Sequence, residues 1–343
     1  MMGAALGAAA ATALPGAVAA APRIPIGAAC NHYVLGTDQA YRAALARHVD
    51  VIVPEGAMKW DYIRPKPDAF DFEPAAPTAA FARLNGLQLR GHTLVWCTPK
   101  PAWLNTLGSE AEAAREMERH IPRVMGHYRG QVRSWDVVNE PIAEKPTSDR
   151  DLRQGVWLRH LGDRYIDRAF RIAAEVDPTG ERVLNEYGVE AARPQDKIKR
   201  QGLQRLIREL KDRGVPLTAV GLQGHLHGDL EIDADGVSRF CQEVARMGLD
   251  VLVTELDVID DKLPGDIAER DRLVARRAEQ FLGAVFAGAR PKLVCTWGIS
   301  DRYTWVPTWF KRADGQKNRS LPLDHDMNVK PFWHVLQRFC RGA

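Results

Sequence analysis

The 343-residue sequence contains no Cys-x-x-Cys pair. Its five cysteines (Cys30, Cys97, Cys241, Cys295 and Cys340) are unevenly spaced, which argues against a zinc or dithiol framework and leaves at least one thiol unpaired. No Gly-x-Gly-x-x-Gly and no Gly-x-x-x-x-Gly-Lys-Ser/Thr follows an apolar run, so a nucleotide site lacks its phosphate cradle. A Gly-x-Ser-x-Gly elbow is missing too, which sets aside serine hydrolysis on an α/β-hydrolase fold. Charge of one sign is scarce: 47 Lys and Arg face 44 Asp and Glu, for a net charge of +3. That balance offers no electrostatic footprint for nucleic acid or an anionic membrane. Beyond residue 21, no stretch reaches the ~18 consecutive apolar residues that a transmembrane helix needs.

Residues 1–21 lack charge altogether; the first charged side chain is Arg23. They are rich in Ala and Gly and offer Ala17-Val18-Ala19 as a small-residue, cleavage-like site. This reads as the apolar core and cleavage region of a signal segment without its basic start, and it implies a secreted or periplasmic protein. Residues 22–343 show no internal repeat, no low-complexity linker and no shift in composition, and they read as one domain.

What is present is a regular alternation. Short apolar runs at Ile26–Cys30, Val51–Val53, Leu87–Val95, Val132–Val138, Val183–Asn185, Ala219–Gln223, Val251–Thr254 and Leu293–Trp297 read as strands. An amphipathic, helix-like stretch follows each one, the longest being Ser109–Tyr128, Gln154–Val176, Pro194–Arg213 and Asp266–Ala287. Eight such units in about 320 residues predict an α/β fold, a single-domain (β/α)8 TIM barrel, rather than an open doubly wound sheet.

A barrel of this kind carries its chemistry at the C-terminal ends of its strands. Those ends collect polar, titratable and aromatic groups: Glu55, Lys59 and Trp60; His92, Trp96 and Cys97; Asn139 and Glu140; Asn185, Glu186 and Tyr187; Gln223, His225 and His227; Glu255 and Asp257; Trp297, Asp301, Arg302 and Trp305. Ser134–Pro141 is the most informative stretch, because Pro141 cannot continue a central ladder and leaves Glu140 at the strand's last turn. Glu255 repeats the pattern on the seventh strand. Either glutamate alone can be a surface residue at a strand end; two of them predict a catalytic pair. A metal hydrolase would draw on His225, His227 and His92, but no His-x-x-x-His or comparable ligand set exists, and no metal is expected. Paired carboxylates for glycosidic cleavage fit best: one protonates the leaving oxygen, and one stays ionised to attack the anomeric carbon. Nine Trp suit a sugar-binding surface, although a single Trp is as often core packing.

These motifs resemble glycoside hydrolase family 10, the endo-β-1,4-xylanases, across nearly all of residues 24–340. The resemblance is carried by Met58-Lys59-Trp60, Gly91-His92-Thr93-Leu94-Val95-Trp96, Trp135-Asp136-Val137-Val138-Asn139-Glu140, Thr254-Glu255-Leu256-Asp257 and Trp297-Gly298-Ile299-Ser300-Asp301. It implies Glu140 as general acid/base and Glu255 as nucleophile in a retaining double displacement on xylan, with carboxyl groups roughly 5–5.5 Å apart and no cofactor. It further implies that Asn139 bonds the substrate 2-hydroxyl and the nucleophile, that His225 and Asp257 orient Glu255, and that Gln223 lies beside Glu140. Glu55, Lys59, His92, Trp297 and Trp305 match groups that hold sugar on the non-reducing side, and Tyr187 matches an aromatic on the leaving-group side. Trp96 matches the pattern as well, with packing as its alternative role. The expected partner is the polysaccharide, and a monomer is the expected state.

The departures are local. Gly56 stands where the family has an Asn that contacts the second sugar, and Cys97 and Pro99 replace a His and a sugar-binding Gln. Glu186 and Gly188 stand where Asp and Asn are usual. Each lost hydrogen bond to a sugar costs ~0.5–1.5 kcal/mol. A different β-linked polysaccharide, such as a bacterial exopolysaccharide, is therefore the second reading, and a non-catalytic sugar-binding barrel is the third.

Overall fold

The structure, a computed structural model, describes residues 23–97 and 101–342. The 1–21 segment and Pro99 lie outside them. Nine parallel strands form one sheet: β1 (Ile26–Cys30), β2 (Val51–Pro54), β3 (Gln88–Gly91), β4 (Val132–Asn139), β5 (Glu181–Glu186), β6 (Ala219–Leu222), β7 (His225–His227), β8 (Asp250–Ile259) and β9 (Leu293–Thr296). Each of β1 to β5 pairs with the next in sequence, β9 pairs with both β8 and β1, and a β6–β8 ladder closes the ring. Eight strands make the barrel, as the alternation predicts. The ninth, β7, pairs with the far end of β8 through His225↔Asp257 and His227↔Ile259. His227 thus belongs to a short strand at the rim.

The strands form because β-branched and small residues alternate between two apolar environments. Val51 and Val53 join Ala29, Val183, Ala219, Leu252, Leu293 and Cys295 inside the barrel, whereas Ile52, Val220 and Val253 face the surrounding helices. Eight closed strands leave an interior just wide enough for such side chains, so the barrel is a packed core and not a pore. Two runs differ in length from the expectation. The third strand ends at Gly91, although Leu94 and Val95 still donate backbone bonds to Asp136 and Val137 of β4. The seventh barrel strand, β8, runs on to Ile259 because Leu256, Val258 and Ile259 are buried on its extension.

The helices sit close to their expected places, at Gln39–His48, Ala76–Leu84, Glu110–His127, Pro194–Asp212, Ala234–Arg246, Ile267–Gly288 and Pro331–Arg341. The expected Gln154–Val176 helix is two, Val156–Leu161 and Arg164–Val176. The break falls at Gly162, whose φ of 61° is a left-handed conformation that glycine adopts without a Cβ clash.

Beneath the mouth, the barrel holds one buried polar chain. Arg90 forks onto both carboxylate oxygens of Asp136, and His92 Nδ1 lies 2.9 Å from Asp136 Oδ2. Both members of the ion pair are essentially inaccessible. Burial alone would raise the Asp136 pKa, but the Arg90 guanidinium beside it and the His92 hydrogen bond hold it below the usual carboxylate value.

Candidate active site

The C-terminal strand ends open into a groove of about 820 Å³. Glu55 and Lys59 follow β2, and His92 and Trp96 follow β3. Asn139 closes β4 and Glu140 follows it, Tyr187 follows β5, and Gln223 follows β6. His225 begins β7, Glu255 lies within β8, and Trp297 and Trp305 follow β9. All of these sequence-predicted residues line the groove; Asp257 stands behind His225 and is fully buried. Of the other predicted strand-end groups, His227 lines the groove, whereas Glu186 and Asp301 are buried in ion pairs, Glu186 with Lys199 at 2.9 Å and Asp301 with Lys330 at 2.9 Å.

Glu255 is 4% exposed, and a carboxylate so desolvated normally raises its pKa. Here its pKa lies below the usual value, because hydrogen bonding from His225 and the nearby His92 and His225 rings outweigh burial. His225 Nε2 lies 3.3 Å from Glu255 Oε2, and its Nδ1 lies 2.9 Å from Asp257 Oδ1. Burial opposes charge on this imidazole as well, but the two carboxylates raise its pKa well above 6.5. Set between two carboxylates, the ring can donate from both nitrogens only as the imidazolium, the form its raised pKa favours. Asp257 is fixed in turn by Trp305 Nε1, at 2.7 Å from Oδ2.

The other oxygen of Glu255 is held by Asn185, a strand-end residue to which the sequence assigned no role. Asn185 Nδ2 donates to Glu255 Oε1 at 2.7 Å and to Asn139 Oδ1 at 2.8 Å, while Thr254 Oγ1 donates to Asn185 Oδ1 at 2.7 Å. The contact with the nucleophile expected of Asn139 is thus made by Asn185, its registered neighbour on β5. Gly221, paired with Asn185 across β6, makes this possible: a Cβ there would lie 2.3 Å from Asn185 Oδ1 and 2.9 Å from Thr254 Cγ2. Asn139, which lines the groove, accepts through Oδ1, and its Nδ2 has no acceptor among the described residues.

Glu140 has φ 54°, a left-handed conformation that costs a non-glycine residue on the order of 1–3 kcal/mol. The turn is held by the Glu140 N–H, which donates to Asn185 O at 2.8 Å. Its carboxylate accepts from Trp96 Nε1 at 2.9 Å and from Gln223 Nε2 at 3.1 Å. Trp96 therefore works in the groove and is not only packing. Gln223 Nε2 also reaches Asn139 Oδ1 at 3.2 Å, so Asn139, Asn185 and Gln223 join the two glutamates in one continuous network. Arg153 supplies a positive charge that the sequence reading missed. Its Nη1 lies 3.2 Å from Glu140 Oε2, and its Nη2 donates to Tyr187 Oη at 2.6 Å. The signal was weak: one arginine in a loop with no periodicity, among 47 basic residues.

On the far side, burial raises the Glu55 pKa against the opposing charge of Lys59. Lys59 Nζ lies 4.9 Å from the Trp96 ring centre and 5.8 Å from that of Trp297. At Gly56, a Cβ would come within 3.3 Å of the Tyr62 ring, so an aromatic edge occupies the space beside this position.

His92, Asp136 and Glu255 bring ligand atoms within 4.8 Å of one another, a spacing compatible with a metal. Their lone pairs are committed elsewhere: Asp136 to Arg90 and His92, and Glu255 to Asn185 and His225. The set fits a charge-balanced network better than a metal centre.

A closed barrel that aims an ionised carboxylate from β8 and a hydrogen-bonded one from β4 into a Trp-lined groove defines a glycoside hydrolase of the carboxylate-pair type. The chain belongs to glycosyl hydrolase family 10, whose sequence model matches residues 15–338. It is 35% identical over 325 residues to a β-1,4-xylanase of Dictyoglomus thermophilum, covering 91% of this chain and 87% of that protein. It is 34% identical to endo-1,4-β-xylanase B of Paenibacillus barcinonensis, covering 91% of this chain and 94% of that protein. Among solved structures, xylanase 10B of Thermotoga petrophila in complex with xylobiose superposes with a TM-score of 0.83 at 31% identity, covering 93% of this chain and 94% of that one.

Proposed function

We propose that this chain is a retaining endo-β-1,4-xylanase, with Glu255 as nucleophile and Glu140 as acid/base. The observation that carries the reading is the clamp on Glu255: a buried carboxylate kept ionised by a charged His225 and aimed by Asn185. In the first step Glu140 donates its proton to the glycosidic oxygen. Glu255 attacks the anomeric carbon, the bond to the leaving sugar breaks, and a glycosyl-enzyme forms. In the second step Glu140, now a carboxylate, takes a proton from water, whose oxygen displaces Glu255 and restores both groups. The clamp supplies fixed dipoles and charge around a buried carboxylate, so these groups need not reorganise during either step. The uncharged 1–21 segment supports action outside the cytoplasm, and N-terminal sequencing of the exported protein tests that.

The test is release of reducing ends from xylan. Glu255→Ala should reduce it below ~10⁻³ of wild type, because no group remains to form the covalent intermediate. Glu140→Gln should reduce it by ~10²–10⁴-fold. Gly56 and the neighbouring Tyr62 ring favour one alternative, a different β-linked polysaccharide cut by the same machinery. A panel of β-glycans separates the two: hydrolysis of another glycan with xylan inert would overturn the substrate and keep the mechanism. Xylan bound but uncut by wild type would overturn both.

A further inference from the structure

The groove changes character along its length. Arg153 and Tyr187 stand beside Glu140, the proton donor, so the β4–β5 side receives the departing chain. The loops after β1 and β2 lie across the barrel mouth from β5, on the side that keeps the retained sugars. Beyond Glu55 and Lys59, they line the groove with Asn31, His32, Tyr33, Gly56, Asp61 and Tyr62.

Three of these are aromatic rings in contact. The His32 ring lies 3.9 Å from that of Tyr33, tilted by 38°, and meets the Tyr62 ring edge-on at 5.3 Å. Partial burial lowers the His32 pKa and favours the neutral ring. A hydrogen bond with Tyr33 and partial burial push the Tyr62 phenol up to about 12, so the two hydroxyls are engaged with each other. Tyr33 is nevertheless 67% exposed. The other large apolar side chains exposed among the described residues are Leu84, Ile267, Trp309 and Val329, of which Trp309 alone joins Tyr33 in the groove. Single exposed side chains are ordinary, but touching rings at the edge of an active site form a patch that a ligand would cover.

Gly56 shapes the wall behind them. Its φ lies outside the left-handed region, so the turn does not demand glycine. The space that a side chain would fill belongs to Tyr62, whose Cε2 would lie 3.3 Å from a Cβ there. The groove therefore presents a ring at this point and not a hydrogen-bonding side chain. Among the polar neighbours, Asn31 Oδ1 accepts from Tyr33 N at 3.1 Å, and Asp61 Oδ1 is sealed from solvent.

We propose that Tyr33 and Tyr62, backed by His32, form a stacking platform for a sugar ring of the retained chain, at a position read by ring shape and not by hydrogen bonds. The inference rests on the xylanase reading above. A β-xylopyranose carries its hydroxyls equatorially, so each face of the ring is a patch of C–H groups that suits an aromatic surface.

Aryl β-glycosides of xylose, xylobiose and xylotriose lengthen only the retained chain, and kcat/KM on each tests the platform. In wild type it should rise with length. Tyr33→Ala should lose ~3–10-fold more on the longer glycosides than on the xyloside, and Tyr62→Ala should follow it. Tyr33→Phe keeps the ring and should restore the gain, which a phenol that bonds the sugar would not allow. Tyr33 is exposed, so its variants leave the core intact. An undiminished length gain in Tyr33→Ala, or a loss in Tyr33→Phe equal to that in Tyr33→Ala, overturns the platform and leaves the xylanase reading standing. Wild type inert on the whole series while it cuts another β-glycan overturns the xylanase reading and the platform with it.

Discussion

Arg153 and Glu140 form an ion pair at the heart of the groove, with Nη1 3.2 Å from Oε2. The same guanidinium donates to Tyr187 Oη, so one side chain ties the proposed acid/base to an aromatic wall. Arg153→Gln should therefore misplace the proton donor. We expect xylan hydrolysis to fall ~10-fold, or ~1.4 kcal/mol of barrier. An aryl xylobioside with an activated leaving group needs little proton donation and should lose much less. Equal losses on both substrates would sink the positioning role.

The His225 cation links stability to pH in a definite direction. Its pKa in the folded chain is raised well above the ordinary 6.5, so its contribution is fully present below pH 6.5 and is lost as pH rises through the raised value. Glu255 runs the other way: its pKa is lowered from 4.5, so its contribution is present above pH 4.5 and is lost as pH falls through the lowered value. The stability gap between wild type and His225→Gln should therefore be widest from about pH 5 to 6.5 and narrow on the alkaline side. Urea unfolding of both proteins across pH 5–10 measures it, and a gap that widens with pH would contradict the assignment.

Gly221→Ala tests the second neighbour of the nucleophile. The new Cβ cannot share space with the Asn185 amide, so Asn185 must leave Glu255. We expect kcat on xylan to drop ~10²-fold through misplacement at the reacting centre, with ~1–3 kcal/mol of destabilisation from overpacking. Unchanged kcat in a folded variant would remove Asn185 from the proposed clamp.

Asp136→Ala leaves Arg90 buried without its carboxylate. The expected loss is ~3–5 kcal/mol of unfolding free energy, the usual result of breaking a buried pair from one side. Replacing both partners with apolar residues of similar volume should recover much of that stability. It should not recover activity, because His92 would still lack its anchor. Guanidinium unfolding and a xylan assay on the two variants separate these effects.

Much of this was legible without coordinates. Strand and helix alternation identified the barrel because strands buried on both faces read as unbroken apolar runs. The carboxylates stood out because Glu140 and Glu255 each end or interrupt such a run. Arg90 and Asp136 drew no reading as a pair, because nothing in a linear pattern says that two charges in neighbouring strands point into the same barrel. Arg153 carried no signal, since loop arginines are ordinary. Asn185 was seen at its strand end, yet its reach to Glu255 depends on Gly221, its partner on the neighbouring strand, which belongs to no motif.

The sequence by itself determined the order of elements, the single-domain barrel and the positions of both glutamates, because periodicity and strand-ending residues are local properties. Only the tertiary structure decided which groups touch. Closing β6 onto β8 brings Asn185, Glu255 and His225 into one clamp, and the loop after β4, folded back through Arg153 N to Pro141 O, puts Arg153 against Glu140. Contacts of that kind depend on register and on the space left by small residues, and both are settled when the ring closes.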